Sequence, residues 1–173
     1  MDLPRITVIT INLNNINGLE KTFHSVKSQN YLNLEYMIFD GGSRDESLKF
    51  LKSHSTEISY WVSEKDSGVY DAMNKGIKHA SGDYLLFLNS GDHFFNEEAI
   101  SSLVKNSSGE DLIYGQLKVV GSDSEWIKTY PSILNFRYFY FESLPHPATL
   151  ISRKLMVKMG GYDIQLKIAS DWK

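Results

Sequence analysis

Short apolar runs bounded by polar, glycine-containing turns alternate with stretches in which apolar residues recur every third or fourth position. This alternation persists through roughly the first two thirds of the chain. Continuous apolar runs suit strands buried on both faces, and the helical recurrence suits the helices that cover them. The pattern therefore predicts βαβ units and a mostly parallel sheet. Ile6–Asn12 is the first predicted strand. A helix follows, capped near Asn17 with Glu20 three residues on, and Leu19, Phe23 and Val26 form its buried stripe. Leu34–Asp40 is the second strand. Ser43 and Glu46 repeat the capping spacing before a helix that should carry Leu48 and Leu51 inward. Residues 58–64 give a third strand, Val69–His79 a helix with Val69, Met73 and Ile77 on one face, and residues 84–89 a fourth strand. Beyond it come a shorter helix at 97–105 and a strand at 112–120. Residues 125–130 pair with that strand as a hairpin across Gly121, Ser122 and Asp123. After Pro131 the periodicity weakens and no element is assigned.

The length of 173 residues, 42% hydrophobic and 13% aromatic, suits one α/β domain with a single substantial core spanning residues 1–173. The closing Gly160-Gly161-Tyr162-Asp163 and Ile168-Ala169-Ser170-Asp171-Trp172-Lys173 stop with a polar–apolar pattern still in progress, so a C-terminal truncation is expected. Eighteen Lys and Arg against 21 Asp and Glu give a formal charge of -3, which offers no basic stripe for a nucleic-acid backbone. With no cysteine, thiolate metal sites and thiol nucleophiles are excluded, and a reducing, cytoplasmic setting fits. The first apolar run is too short for a signal peptide or a spanning helix. The aromatic stretch Phe136–Phe141 reads as buried or ligand-facing, with peripheral contact at the inner face of the membrane as the alternative. Oligomeric state is open.

Dinucleotide-fold, P-loop, hydrolase-elbow and zincin motifs are absent, and the five histidines show no paired ligand spacing. What remains is a set of acidic turns, each after a predicted strand: Asp40-Gly41-Gly42-Ser43-Arg44-Asp45, Glu64-Lys65-Asp66-Ser67-Gly68, and Asn89-Ser90-Gly91-Asp92. Open α/β sheets bind ligands beyond the carboxyl ends of their strands, so the turns are expected to face one cleft. Hard carboxylate oxygens there suit Mg²⁺ or Mn²⁺ bridging a diphosphate, with Asp92 as the metal ligand.

These residues, taken in order from Ile6 to Trp172, resemble family 2 glycosyltransferases of the GT-A fold, a Rossmann-like, mostly parallel sheet flanked by helices. Val8-Ile9-Thr10-Ile11-Asn12 is similar to the opening strand that borders the nucleotide base, which implies Thr10 and Asn12 as donor-side residues. The Asp40 turn resembles the family's Asp-Gly-x-Ser-x-Asp, in which the first aspartate meets the base. Asp66 and the helix bearing Asn74 and Lys75 resemble the segment near base, ribose and phosphates. Asn89 to Asp92 stands where the family carries Asp-x-Asp, so Asp92 is the surviving acidic ligand, with Asn89 and Gly91 in place of carboxylates and Met73 where many members have arginine. His146 and Lys75 are candidates for phosphate contact, and Asp171 for the general base. The resemblance implies an inverting, metal-assisted transfer from a nucleotide-sugar, with uracil as the base, to a glycan or lipid-linked acceptor. A nucleotidyltransferase of the same fold would need a Gly-rich basic loop after the first strand, which is missing. The alternative from another class is a catalytically silent module that binds a nucleotide-sugar or a protein.

Overall fold

The structure, a computed structural model, describes residues 3–105, 107–121 and 123–166. Strand β1 (Ile6–Asn12) lies in the middle of the main sheet with all its residues buried. It pairs in parallel with β2 (Leu34–Asp40) on one side and β4 (Tyr84–Phe87) on the other, and β3 (Tyr60–Ser63) extends the parallel run beyond β2. The sheet order is β3-β2-β1-β4-β8-β5, with β8 (Thr149–Ser152) antiparallel to both β4 and β5 (Leu112–Tyr114). Alternation along β1 sends Ile6 and Val8 into one core and Ile9 and Ile11 into the other. Helices α1 (Ile16–Lys27), α2 (Ser47–Ser53) and α4 (Ala99–Val104) cover the first face, and α3 (Val69–His79) and α6 (Arg153–Met159) the second. The strand order reverses between β1 and β4, which puts the ligand-binding crevice of an open sheet at their carboxyl ends.

Several boundaries differ from the sequence pattern for local reasons. The N-cap of α1 is Asn15, whose side chain accepts from Gly18 N at 3.1 Å, so Asn17 lies within the first turn. Ser43 and Glu46 do not box the start of α2. Asp45 does this work instead, accepting from Ile16 N at 2.9 Å and Ser47 N at 3.1 Å, so one carboxylate ties the starts of two helices. Burial works against ionising Asp45, but those hydrogen bonds more than offset it and hold the carboxyl below its ordinary range. In α2 the inward residues are Ser47, Phe50 and Leu51, and in α3 Val69 is 38% exposed while Ala72, Met73, Gly76 and Ile77 pack inward.

The single strand expected at 112–120 is two strands. Gly115 N donates to Ala148 O at 2.9 Å, after which the chain leaves the sheet. Strand β6 (Leu117–Val120) then pairs with β7 (Glu125–Lys128) in the expected hairpin, apart from the main sheet. Beyond Pro131, where no element was expected, lie α5 (Phe136–Phe141), a 3₁₀ turn (His146–Ala148), β8 and α6. Helix α5 buries none of its residues, with Phe136 at 86% and Tyr140 at 71% exposure, so of the expected buried or ligand-facing segment the buried reading is overturned. Among the described residues no helix is long and apolar enough to cross a membrane.

Candidate active site

The loop after β1 links the carboxyl ends of its two neighbours. Asn14 N donates to Ser43 Oγ at 2.7 Å, Arg44 N returns a bond to Asn14 Oδ1 at 2.7 Å, and Asn15 Nδ2 donates to Ser90 O at 3.1 Å. The Asp40 turn and the Asn89–Asp92 turn therefore occupy adjacent stretches of one sheet edge. Asp40 itself faces inward at 2% exposure, accepting from Asn12 Nδ2 at 2.7 Å, Ser43 N at 2.9 Å and Ser63 Oγ at 2.6 Å. Its carboxylate fastens the ends of β1, β2 and β3. Asn12, 1% exposed, also donates to Ser47 Oγ at 3.0 Å, while its Oδ1 is buried without a partner. Thr10 lies wholly inside, its hydroxyl 3.2 Å from that of Tyr36. Asp66 accepts from Gly68 N at 2.9 Å and packs so close to Gly41 that a Cβ there would sit 2.8 Å from its Oδ2. Glycine at 41 thus lets the first and second acidic turns touch.

The turn after β4 is organised from below by Thr22 of α1, which is fully buried. Its hydroxyl lies 2.7 Å from Asp92 O, 3.0 Å from Gly18 O and 3.3 Å from Asn89 O, and accepts from Gly91 N at 3.0 Å. The turn presents Asp92 outward, on the wall of a cleft of about 970 Å³ shared with Lys21, His93 and Pro147. The carboxyl reaches solvent, yet the protein around it removes enough water to push its pKa up, with His146, His93 and Lys21 pulling it back only in part. Asn89 Nδ2 lies 3.3 Å from His146 Nε2, so a neutral His146 carries its proton on Nδ1, while Asn89 Oδ1 is buried without a partner.

Asn74 is turned away from this edge. Its Nδ2 donates to Tyr162 O at 2.8 Å and its Oδ1 accepts from Tyr162 N at 2.8 Å, docking the stretch after α6 onto α3. Lys75 pairs with Glu64 at 2.8 Å and Asp71 at 3.6 Å, and Glu64 holds the ammonium firmly charged. A second cavity of about 420 Å³ lies between His146, Tyr162, Met156 and Phe139. Asp171 lies outside the described residues.

The structure thus brings together Asn12, Asp40 and the Asp66 turn in one group, and Asn89, Asp92 and His146 in a second beside it. The carboxylates themselves do not converge as expected, because Asp40 is consumed by its internal donors. Among the described residues no group of three or more His, Cys, Asp or Glu could hold a metal ion. Thr22 and Asn15, which shape these loops, were missed by the sequence reading, and Asp45 was read only as part of its acidic turn. The one available signal was a hydroxyl on the buried stripe of α1, three residues after Leu19.

Residues 7–159 match the family described as Glycosyl transferase family 2. An uncharacterized glycosyltransferase of Mycobacterium tuberculosis is 38% identical over 176 residues, covering 97% of this chain and 66% of the relative. A PGL/p-HBAD biosynthesis glycosyltransferase of Mycobacterium bovis is 26% identical over 99% of this chain and 68% of its own length. Among solved structures, Staphylococcus aureus TarS 1-349 in complex with UDP-GlcNAc superposes with a TM-score of 0.77 at 19% identity, covering 97% of this chain and 51% of that one. The mannosyltransferase PcManGT of Pyrobaculum calidifontis, in complex with GDP-Man and Mn²⁺, gives 0.73 at 16% identity over 97% of this chain and 50% of that one. At such identities the likeness concerns the fold. The chain therefore spans about two thirds of its curated relatives and about half of these structural neighbours.

Proposed function

The chain belongs to glycosyl transferase family 2, and from that premise we propose that it transfers a sugar, with inversion, from a uridine diphosphate sugar to a hydroxyl of a glycan or lipid-linked acceptor. The observation that carries this reading is the turn after β4. It delivers one partly desolvated carboxylate, Asp92, to a cleft at the switch point of the sheet, near Lys21, His93 and His146. TarS, with the same fold, is complexed with UDP-GlcNAc, and PcManGT with GDP-Man and Mn²⁺.

On this reading the base lies against the Asp40 and Asp66 turns and the diphosphate beside the Asn15–Ser90 junction. The chemistry of the nearby side chains fits a divalent cation held largely by its substrate. Asp92 would offer carboxylate oxygen and Asn89 its unpartnered Oδ1, hard oxygen donors that suit Mg²⁺ or Mn²⁺, while His146 stays engaged with the Asn89 amide. Bound there, the cation supplies neutralisation of the charge that grows on the leaving diphosphate. Asp171 takes the proton of the acceptor hydroxyl as its oxygen bonds to the anomeric carbon and the bond from that carbon to the diphosphate oxygen breaks on the opposite face. On the same reading the reaction belongs to the cytoplasmic side, and the exposed aromatics of α5 support a peripheral contact with the membrane surface.

A thermal-shift screen of nucleotide-sugars with and without Mn²⁺, followed by detection of released UDP, tests this. Metal-dependent stabilisation by a UDP-sugar together with UDP release is expected. Binding without release in the full-length protein would favour a silent binding module instead, a reading to which Asn89 and Gly91, in place of carboxylates, lend weight.

A further inference from the structure

The cleft of about 970 Å³ runs from Asp92 away from the Asp40 and Asp66 turns, walled by α4, β5 and β6. Along the sheet, β4 is followed by β8 and β5, so the cleft lies on the side opposite the base. Its charged lining is balanced, Lys21 and Lys118 against Asp92 and Glu110. A polyphosphate or an anionic polymer would find no surplus of positive charge there, and a polyprenyl tail would have to desolvate four charged groups. The most exposed apolar side chain of the lining is Phe95, 76% open to water at the cleft wall, with the Lys118 ammonium 6.0 Å from its ring centroid. Tyr130 and Tyr114 line the same cleft, the second anchored by its hydroxyl to Pro131 O at 2.6 Å. Sugar rings carry slightly positive C–H faces that rest on the negative face of an aromatic ring, and their hydroxyls seek neutral amides, which Gln116 supplies here.

We infer that this cleft is the acceptor subsite and that it holds a neutral oligosaccharide, one ring of which stacks on Phe95 while Gln116 reads a hydroxyl. The assignment rests on the transferase reading above and goes beyond it by naming the class and seat of the acceptor. Phe95 and Gln116 are exposed, so truncating either leaves the fold and the donor side intact.

The test uses maltotriose, cellotriose and chitotriose as probes of the full-length protein and its Phe95→Ala and Gln116→Ala variants. Binding is followed by saturation-transfer NMR, and UDP release onto water is measured in parallel without acceptor. At least one trisaccharide is expected to bind the wild type and to bind Phe95→Ala about tenfold more weakly, with UDP release unchanged. If none of the three binds while UDP release is intact, or if Phe95→Ala binds as well as the wild type, the acceptor assignment is overturned and the transferase reading stands. Trisaccharide binding without any UDP release supports the glycan site and overturns the transferase reading alone.

Discussion

Asp92 combines access to water with a carboxyl that the surrounding protein makes harder to ionise, and the combination has opposite consequences for stability and for chemistry. A carboxyl whose folded pKa is raised above its unfolded value costs the folded state stability at neutral pH, and that cost is relieved as pH falls. Asp92→Asn is therefore expected to raise the melting temperature at pH 7 while lowering metal-dependent UDP release by at least about a hundredfold. A variant that melts no higher, or that keeps full turnover, removes the role given to this side chain. Because the ionised form is needed, the acid limb of kcat/KM should also lie at higher pH than an ordinary aspartate would set. The placement of Asp92 on a cleft wall after β4 was legible in the sequence because an apolar strand runs straight into a Gly-containing turn. The inward orientation of Asp40 was not, because the local bond from Ser43 fits an exposed turn equally well and the donors that bury the carboxylate, Asn12 and Ser63, lie 28 and 23 residues away.

Elements carry the site through contacts of long sequence separation, and two of them can be cut singly. Thr22→Val keeps the shape of α1 but leaves Asp92 O without its donor and takes from Gly91 N one of its two acceptors, the other being Gly18 O at 3.1 Å. A loss of about 1–3 kcal/mol in urea unfolding is expected, with a larger effect on donor KM than a remote core truncation of equal cost. An unchanged KM would confine Thr22 to packing. Gly161 has φ +76°, and a Cβ there would meet Asn74 Oδ1 well inside contact distance, so Gly161→Ala opposes both the backbone and the α3 dock. It should cost about 1–3 kcal/mol, and Asn74→Ala should remove much of that difference in a double-mutant cycle, because the two changes break the same contact. The parallel core was readable because β1, β2 and β4 are short apolar runs between periodic helices. Strand β8 was not, since its four residues Thr149–Ser152 follow a proline-flanked turn and gain their place only by pairing with β4 and β5.

At the scale of the whole molecule, the edge of the sheet opposite the site is held by a buried charge. Glu35, 6% exposed, accepts from Thr7 Oγ1 at 2.6 Å, Ser81 N at 2.8 Å, Ser81 Oγ at 2.6 Å and Arg5 at 3.2 Å, joining β1, β2 and the approach to β4. Burial alone would raise its pKa, but the Ser81, Thr7 and Arg5 contacts outweigh it, so the net shift is downward. A carboxylate with a depressed folded pKa contributes stability that is complete above its unfolded value, near about 4.3, and is lost as pH falls through the folded value. Glu35→Gln keeps an acceptor for the hydroxyls but forfeits the charge, at a cost of about 2 kcal/mol at pH 7. Urea unfolding of both proteins between pH 7 and pH 3 should show the gap narrowing as the wild-type carboxylate protonates. The Asp45 carboxylate, also depressed by its hydrogen bonds, loses its share in the same direction in both proteins and so cancels from the difference. A gap that stays constant down to pH 3 would mean that Glu35 holds the strands by shape and hydrogen bonding alone. The electrostatic account of how this edge keeps β1 and β4 in register, and with them the two halves of the crevice at their far ends, would then fail.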